Sequence, residues 1–196
     1  LRVAASDIQG TLPLMKVSDY LSWIAEAVLE SVLALAWQQL TAKYGYPLKL
    51  DGSIASNDFI ILGYGKLGGI ELGYGSDLDL VFVHDVDSSA DTNGSKTISG
   101  GEFYARLAQK IISLLTTATA AGQLYDVDMR LRPSGNAGAL VSSVKAFTDY
   151  QQQQAWTWEH QALVRARVVA GDEQLAARFY QIRHQVLAAP RELAKL

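Results

Sequence analysis

The stretch GYGKLGGIELGYGSDLDLVFVH, residues 63–84, decides the fold that we predict for this chain. It follows an apolar run and connects a glycine-rich segment to a second predicted strand, at whose start Asp77 and Asp79 lie two positions apart. Successive side chains of a strand point to opposite faces of a sheet, so the two carboxylates share one face and Leu78 lies on the other. The stretch therefore predicts two strands, with a pair of acidic groups where the second one begins.

The glycines of this stretch also match the GxGxxG fingerprint of dinucleotide-binding proteins, because Gly63, Gly65 and Gly68 follow a predicted strand. That fold needs a crossover helix between parallel strands, a connection of about a dozen residues or more. Only residues 66–76 separate the glycines from the next strand, and four of these residues are glycine, which disfavours a helix. No GK[ST] follows at the offset of a P-loop. We therefore reject both kinds of site.

A second interpretation is a site for a nucleoside triphosphate and divalent metal ions. Glycine has no Cβ, so backbone N–H groups can approach phosphates closely, and a lysine adds positive charge. Two neighbouring carboxylates repel each other unless a cation lies between them, and oxygen ligands together with substrate phosphates suit Mg²⁺. A solvated start of a strand is the alternative. The predicted nucleotide-binding residues of the segment are Gly65, Lys66, Gly68, Gly69 and Ser76.

The run LYDVDMRLR, residues 124–132, predicts a third strand. Its charged residues alternate with apolar ones and would share one face: Asp126, Asp128, Arg130 and Arg132. Beside the paired aspartates, Asp128 would supply a third metal carboxylate, and the arginines would bind phosphate. Asp126 ranks second to Asp128 because it lies nearer the start of the strand. A ladder of cross-strand salt bridges on an exposed face is the alternative.

The rest of the pattern predicts an α+β fold, with helices before and after a small mixed sheet. Apolar residues at three- and four-residue steps predict a long helix over residues 18–43, with Ser18 and Asp19 as its N-terminal cap and Trp23 and Trp37 in the core. The other predicted elements are strands at 59–65, 78–84 and 124–132, a mobile loop at 85–100, a helix at 102–121, and helices after residue 144 with a break at Gly171.

These elements suggest three parts of the chain. Residues 1–50 would form an N-terminal helical segment, residues 51–143 a catalytic core that contains the predicted metal and nucleotide site, and residues 144–196 the start of a truncated helical domain. The chain begins without Met and ends in the helix-like run ELAKL, so we expect it to be a piece of a longer protein.

Composition and charge argue against several classes of protein. The net charge of −3 disfavours a surface for nucleic acid, and the absence of cysteine excludes disulfides and thiolate metal sites. We expect no run that reaches the roughly 20 apolar residues of a membrane span, and no secretion signal opens the chain. We therefore expect a cytoplasmic protein that binds neither nucleic acid nor a membrane.

Three ordered motifs resemble the glutamine synthetase adenylyltransferase family. They are YGKLGGIELGYGSDLDLVF at residues 64–82, YDVDMRLRPSGNAGALVSS at 125–143 and QAWTWEHQALVRARVVAGD at 154–172, and the likeness extends from LPLMKVSDYL at 12–21 to AAPRELAKL at 188–196. The resemblance implies a nucleotidyltransferase fold of the DNA polymerase beta-like type. It also implies ATP as substrate and two Mg²⁺ ions, or Mn²⁺, held by Asp77, Asp79 and Asp128.

The resemblance implies one of two opposite reactions. One half of these two-headed enzymes transfers AMP from ATP to a tyrosine hydroxyl of glutamine synthetase and releases pyrophosphate, whereas the other removes the AMP by phosphorolysis. The segment AWTWEHQALVRAR, residues 155–167, looks closer to the adenylylating half. A non-catalytic regulatory or partner-binding module is the alternative of another class. Family membership further implies control of the full-length enzyme by glutamine and a PII signal protein.

The segment around Glu159, Arg165 and Arg167 leaves two interpretations open. Residues two apart on a helix do not share a face, so we expect one arginine to pair with a buried carboxylate such as Glu159 and the other to reach the cleft. Purely structural ion pairing is the alternative. The three histidines have no metal-ligand spacing and are expected to be ordinary residues: His84, His160 and His184.

Overall fold

A computed structural model describes residues 1–190, and it contains a five-stranded mixed sheet packed with helices. The strands are β1 (Phe59–Gly63), β2 (Leu78–His84), β3 (Val127–Asp128), β4 (Val141–Ser143) and β5 (Arg167–Gly171). The helices are α1 (Arg2–Ile8), α2 (Leu14–Tyr44), α3 (Gly65–Gly68), α4 (Gly100–Thr116), α5 (Val144–Gln153), α6 (Thr157–Val164) and α7 (Glu173–Ala188), with a 3-10 turn at Gly135–Ala137. The predicted α+β class is confirmed. The helix-like run ELAKL lies outside the described residues.

Strand β1 pairs antiparallel with both β2 and β5. Strands β3 and β4 pair in parallel with β2 on its other side: β3 lies beside the start of β2, with Asp79 opposite Asp128, and β4 lies beside its end. Because β1 and β2 are antiparallel, the glycine-rich connection between them is not a parallel crossover. The rejection of a dinucleotide-binding fold is therefore confirmed.

The sheet separates two clusters of buried apolar residues. Alternate residues of β2 enter different clusters: Leu78 and Leu80 pack with helices α2 and α4, whereas Val81 and Val83 pack with α5, α6 and α7. All five residues of β1 are buried, which is typical of a strand covered on both faces. The sheet is thereby fixed from both sides, and the carboxylates lie at the end where β2 begins.

Helix α2 contains the predicted long helix but begins earlier, at Leu14, with Pro13 as its N-cap, so the predicted cap at Ser18 and Asp19 is wrong. Its core face runs through Ala25 and Leu29. Trp23 is two residues from Ala25, roughly 200° around the helix, and is 49% exposed, so its predicted place in the core is wrong.

Trp37 does pack against the core, edge to face with Phe103 at 5.4 Å between ring centroids. This half of the prediction on the tryptophans is confirmed.

By length and composition, α2 could cross a membrane. It has 31 residues, and its most apolar 18-residue window has a mean hydropathy of 1.3, so the expectation that no such stretch exists is wrong. One third of that window, 33%, is buried, and Leu29, Leu33 and Ala36 belong to the core around the sheet. Core helices of soluble proteins pass the same test of length and composition.

The predicted third strand is much shorter than expected. Within this run the strand contains only Val127 and Asp128, because the Asp128 carboxylate accepts a 2.8 Å hydrogen bond from the backbone N–H of Arg130 and the chain turns there. A second turn bond follows from Arg132 N–H to the carbonyl of Met129. The expectation that four charged residues share one strand face is therefore wrong.

The segment after residue 144 is not all helical. It contributes β5, an edge strand with two β-branched residues, Val168 and Val169, that pairs with β1. The central sheet thus extends into the part that we assigned to a helical domain, and the division into domains stays a prediction.

Other bounds differ from the predictions at their ends. Helix α4 begins at Gly100, where the Ser99 hydroxyl caps it, and ends at Thr116 rather than at residue 121. Strand β1 ends at Gly63, two residues early, whereas β2 agrees with the prediction. The loop at 85–100 is tied to the end of α2 by a 2.7 Å hydrogen bond from Tyr46 N–H to Asn93 Oδ1; its predicted mobility stays a prediction.

Candidate metal centre and nucleotide site

Three carboxylates meet where β2 begins. Asp77 immediately precedes β2, Asp79 is its second residue, and Asp128 ends β3. One oxygen from each carboxylate lies within 4.8 Å of the other two. The parallel pairing of β2 with β3 brings them together, since it sets Asp79 directly opposite Asp128. We call these three residues the acidic triad.

The acidic triad is short of positive charge. Burial, followed by the charges of Asp77 and Asp128, raises the pKa of Asp79 above its ordinary value. Arg130 and Lys66 oppose this rise but do not cancel it. The site therefore disfavours three ionised carboxylates unless further positive charge arrives.

Arg130 is paired with Asp128. Its Nε and Nη2 atoms lie 2.7 and 2.5 Å from Asp128 Oδ2, and its backbone N–H bonds to Oδ1. The hydrogen bonds from Arg130 lower the pKa of Asp128 below its ordinary value. Asp128 is thus the member of the triad that is held ionised by a cation of the chain itself.

Gly65 lies directly against Asp79. Its φ is +52°, and a Cβ at this position would overlap the Asp79 carboxylate. The backbone N–H of Tyr64 donates a 2.9 Å hydrogen bond to the carbonyl of Asp79. Lys66, the next residue, is exposed. Only glycine fits where the turn meets the carboxylate.

The other predicted phosphate ligands of this segment have structural reasons of their own. A Cβ on Gly68 would overlap the carbonyl of Arg165, and one on Gly69 would overlap the Arg165 guanidinium. Ser76 Oγ accepts a 3.1 Å hydrogen bond from Gly73 N–H and closes the turn before β2. Phosphate binding by Gly68, Gly69 and Ser76 stays a prediction.

Arg132 and Asp126 lie apart from the triad contacts. The Arg132 guanidinium donates to backbone carbonyls of the loop that follows β3, those of Met129, Asn136 and Gly138. The Asp126 carboxylate accepts a 2.7 Å hydrogen bond from Gln123. Arg132 therefore holds the loop that follows β3, and its predicted contact with phosphate stays a prediction.

The acidic triad suits a small divalent cation. Its donors are all carboxylate oxygens, the set that Mg²⁺ and Mn²⁺ prefer over thiolate or imidazole sites. Their mutual distances, within 4.8 Å, allow one ion to contact more than one of them. The missing Cβ of Gly65 leaves the Asp79 carboxylate unobstructed. The residues present therefore fit the predicted metal.

Glu159 does not pair with either arginine of its motif, so that expectation is wrong. Its buried carboxylate accepts 2.8 Å hydrogen bonds from the Tyr150 hydroxyl and from Trp156 N–H, which closes the first turn of α6. Helix α6 also ends before Arg165, and Arg167 begins β5, so the two arginines are not on one helix.

Both arginines make structural ion pairs instead. Arg165 pairs with Glu71, and Arg167 pairs with Glu26 and also donates to the carbonyls of Leu67 and Gly68 at 3.1 and 3.3 Å. Sequence reasoning missed Glu26 and Glu71, which lie 141 and 94 residues from their partners. No local sequence pattern indicates an ion pair between residues so far apart in the chain.

Two of the histidines have ordinary structural roles. His84 is buried, 4% exposed, which lowers its pKa to about 4, and its Nδ1 lies 3.4 Å from Val86 N–H. His160 Nε2 lies 2.8 Å from the carbonyl of Gln151. His184 is exposed. Within the described residues none of them joins the acidic triad.

Comparison with known proteins gives one consistent result. A family model described as glutamate-ammonia ligase adenylyltransferase matches residues 1–182. Similar relatives include the bifunctional glutamine synthetase adenylyltransferase/adenylyl-removing enzymes of Pseudomonas putida, Pseudomonas aeruginosa and Pseudomonas syringae pv. tomato, which are 63%, 62% and 59% identical over all 196 residues. The match covers 100% of this chain and 20% of each relative, so the chain spans about a fifth of their length.

Proposed function

The chain belongs to the glutamate-ammonia ligase adenylyltransferase family, and on this premise we propose that it transfers AMP from ATP to a tyrosine hydroxyl of glutamine synthetase. Glutamate-ammonia ligase is another name for glutamine synthetase, which the names of the relatives give as the protein acted on. The observation that carries the proposal is the convergence of the Asp77, Asp79 and Asp128 carboxylates within 4.8 Å.

In this proposal the acidic triad would hold two Mg²⁺ ions, or Mn²⁺. Asp77 and Asp79 would supply oxygen ligands to these ions, and Asp128 would complete the set of carboxylate ligands. When bound, such ions offset the charge of the triphosphate and lower the pKa of an acceptor hydroxyl. The raised pKa of Asp79 supports the proposal, because it indicates that the triad lacks positive charge, and bound metal ions would bring that charge.

The remaining residues would bind and orient the nucleotide. Gly65 lies against the Asp79 carboxylate, and the charge of Lys66 acts on that carboxylate, so Lys66 and the backbone N–H groups of this turn would contact phosphate oxygens. Arg130 and Arg132 would offset the charge that develops on the phosphates. The tyrosine oxygen bonds to the α-phosphorus, the bond from that phosphorus to pyrophosphate breaks, and the hydroxyl proton is released.

Removal of AMP is the second candidate, because the relatives are bifunctional and the chain spans about a fifth of their length. In that reaction phosphate attacks the AMP–tyrosine linkage and yields ADP and the free tyrosine. The same triad would serve both reactions. The likeness of residues 155–167 to the adenylylating half favours AMP transfer.

One pair of incubations tests the direction of the reaction. In the first incubation the purified chain is given glutamine synthetase, Mg²⁺ and ATP that is labelled in its AMP part. In the second it is given adenylylated glutamine synthetase and phosphate. We expect label on the synthetase in the first incubation and no ADP in the second. ADP in the second incubation alone would assign the chain to AMP removal.

A matched variant separates catalysis from a non-catalytic role. Asp77→Asn is expected to abolish AMP transfer while the far-UV circular dichroism and thermal unfolding stay close to those of the wild type. A non-catalytic binding module would show no transfer even for the wild type.

Control by glutamine and a PII signal protein, and a cytoplasmic location, are further proposals for the full-length enzyme that rest on family membership.

A further inference from the structure

We propose that Arg130 is an internal counterion that occupies Asp128 until metal and nucleotide arrive, and that its guanidinium then passes to the triphosphate. The inference rests on the proposed function, since it takes the acidic triad as the metal site. It adds a coupling between the two ligands: the metal has to displace Arg130 from Asp128, and the nucleotide provides the place to which Arg130 moves.

The contacts of Arg130 occupy both oxygens of Asp128. Oδ1 accepts the backbone N–H of Arg130 at 2.8 Å and its Nε at 3.0 Å, while Oδ2 accepts Nε at 2.7 Å and Nη2 at 2.5 Å. A metal ion that binds Asp128 needs lone pairs of these same oxygens. Metal binding and the full set of guanidinium contacts are therefore in competition.

Among the described residues, no other cationic side chain forms an ion pair with a carboxylate of the acidic triad. Among the ion pairs within residues 1–190, the pair of Arg130 with Asp128 is the one that includes a triad carboxylate. Lys66 acts on Asp79 at longer range, and Arg132 donates to backbone carbonyls. Arg130 is thus placed to offset the mutual repulsion of the three carboxylates before metal binds.

Arg130 is also free to leave. Its side chain is 74% exposed, whereas that of Asp128 is 15% exposed. Within the described part of the chain its guanidinium hydrogen-bonds to Asp128 alone, and the turn is held separately by the backbone N–H of Arg130. A planar guanidinium binds phosphate oxygens in the same bidentate manner as carboxylate oxygens.

The test measures Mn²⁺ binding to the nucleotide-free chain. The electron paramagnetic resonance signal of free Mn²⁺ reports how much of the ion remains unbound. Arg130→Ala is expected to bind Mn²⁺ at least about fivefold more tightly than the wild type, because a competing cation beside the ligand is gone. Lys66→Ala is the matched control: it removes a nearby positive charge that makes no contact with Asp128, and we expect a smaller gain.

A second readout uses a non-hydrolysable ATP analogue with saturating Mg²⁺. Arg130→Ala is expected to bind the analogue more weakly than the wild type, and Arg130→Lys to lie between them in both assays, because lysine keeps the charge without the planar fork. Damage to the fold would weaken the binding of both ligands. Tighter Mn²⁺ binding together with weaker binding of the analogue is therefore specific to the movement of Arg130 from Asp128 to the triphosphate.

The inference is overturned if Arg130→Ala binds Mn²⁺ no more tightly than the wild type, or if Lys66→Ala gains as much. Asp77→Asn separates this failure from that of the proposed function. If Asp77→Asn loses Mn²⁺ binding, the acidic triad is still supported as the metal site, even where Arg130→Ala leaves Mn²⁺ binding unchanged. Unchanged Mn²⁺ binding in Asp77→Asn removes the metal site, and the inference falls with it.

Discussion

Gly65 and Asp79 are in direct contact: a Cβ on Gly65 would overlap the Asp79 carboxylate. The two residues are also linked through the backbone, because Tyr64 N–H donates to the Asp79 carbonyl at 2.9 Å. The glycine turn is therefore packed against the start of β2 and hydrogen-bonded to it, and the position of the carboxylate depends on the absence of a side chain 14 residues earlier in the sequence.

Gly65→Ala should displace the Asp79 carboxylate. We expect AMP transfer to fall by at least about 100-fold, since a displacement of roughly 1 Å at a reacting centre has an effect of this size. The positive φ of +52° should also destabilise the fold by about 1–2 kcal/mol, measured by urea unfolding.

Gly10→Ala is the control for backbone strain. Gly10 has a φ of +66°, and nothing lies within 4 Å of a Cβ built on it. It should show a similar loss of stability with unchanged AMP transfer. If Gly65→Ala were as active as Gly10→Ala, contact with Asp79 would have no functional role.

Asp79→Asn should stabilise the metal-free protein at neutral pH. Burial and the neighbouring charges raise the pKa of Asp79, so the folded chain binds this proton more tightly than the unfolded chain does. Stability therefore falls as the pH rises from the ordinary aspartate pKa, about 4, through the raised value. The variant should melt above the wild type at pH 7 in EDTA, and the difference should vanish towards pH 4.

Asp128→Asn is expected to act in the opposite direction. Arg130 lowers the pKa of Asp128, so this pair stabilises the fold above the ordinary aspartate pKa and the contribution is lost as the pH falls through the lowered value. The variant should melt below the wild type at pH 7. Two variants that shift the melting temperature in the same direction would contradict this account of the triad.

Arg167 should matter more for stability than Arg165. Its side chain and that of Glu26 are 21% and 25% exposed, and it also holds two carbonyls of α3, so Arg167→Ala should cost about 1–3 kcal/mol in urea unfolding. The pair of Arg165 with Glu71 is 44% and 58% exposed, and its loss should cost less than about 1 kcal/mol. Equal losses would refute the ranking.

Features with a local cause could be predicted from the sequence. The apolar run LDLVFVH gave the bounds of β2, and the short glycine-rich connection correctly excluded a parallel crossover. The meeting of Asp79 with Asp128 needed one further assumption, that the second and third strands are neighbours, and the pairing of β2 with β3 bears it out.

Features that depend on side-chain hydrogen bonds or on distant partners could not be predicted. The third strand stops because the Asp128 carboxylate bonds to Arg130 N–H, a choice that alternation of polar and apolar residues does not reveal. Trp23 is apolar in character but lies on the outer side of α2. The pairing of Arg167 with Glu26 bridges 141 residues of sequence.

The most direct test of the central claim is a crystal structure of the chain with Mn²⁺ and a non-hydrolysable ATP analogue, in which anomalous scattering locates the metal. We predict anomalous peaks coordinated by Asp77, Asp79 and Asp128, with the triphosphate beside Lys66 and Gly65. Nucleotide and metal bound elsewhere, with the three carboxylates free of metal, would contradict the claim that the acidic triad is the catalytic centre.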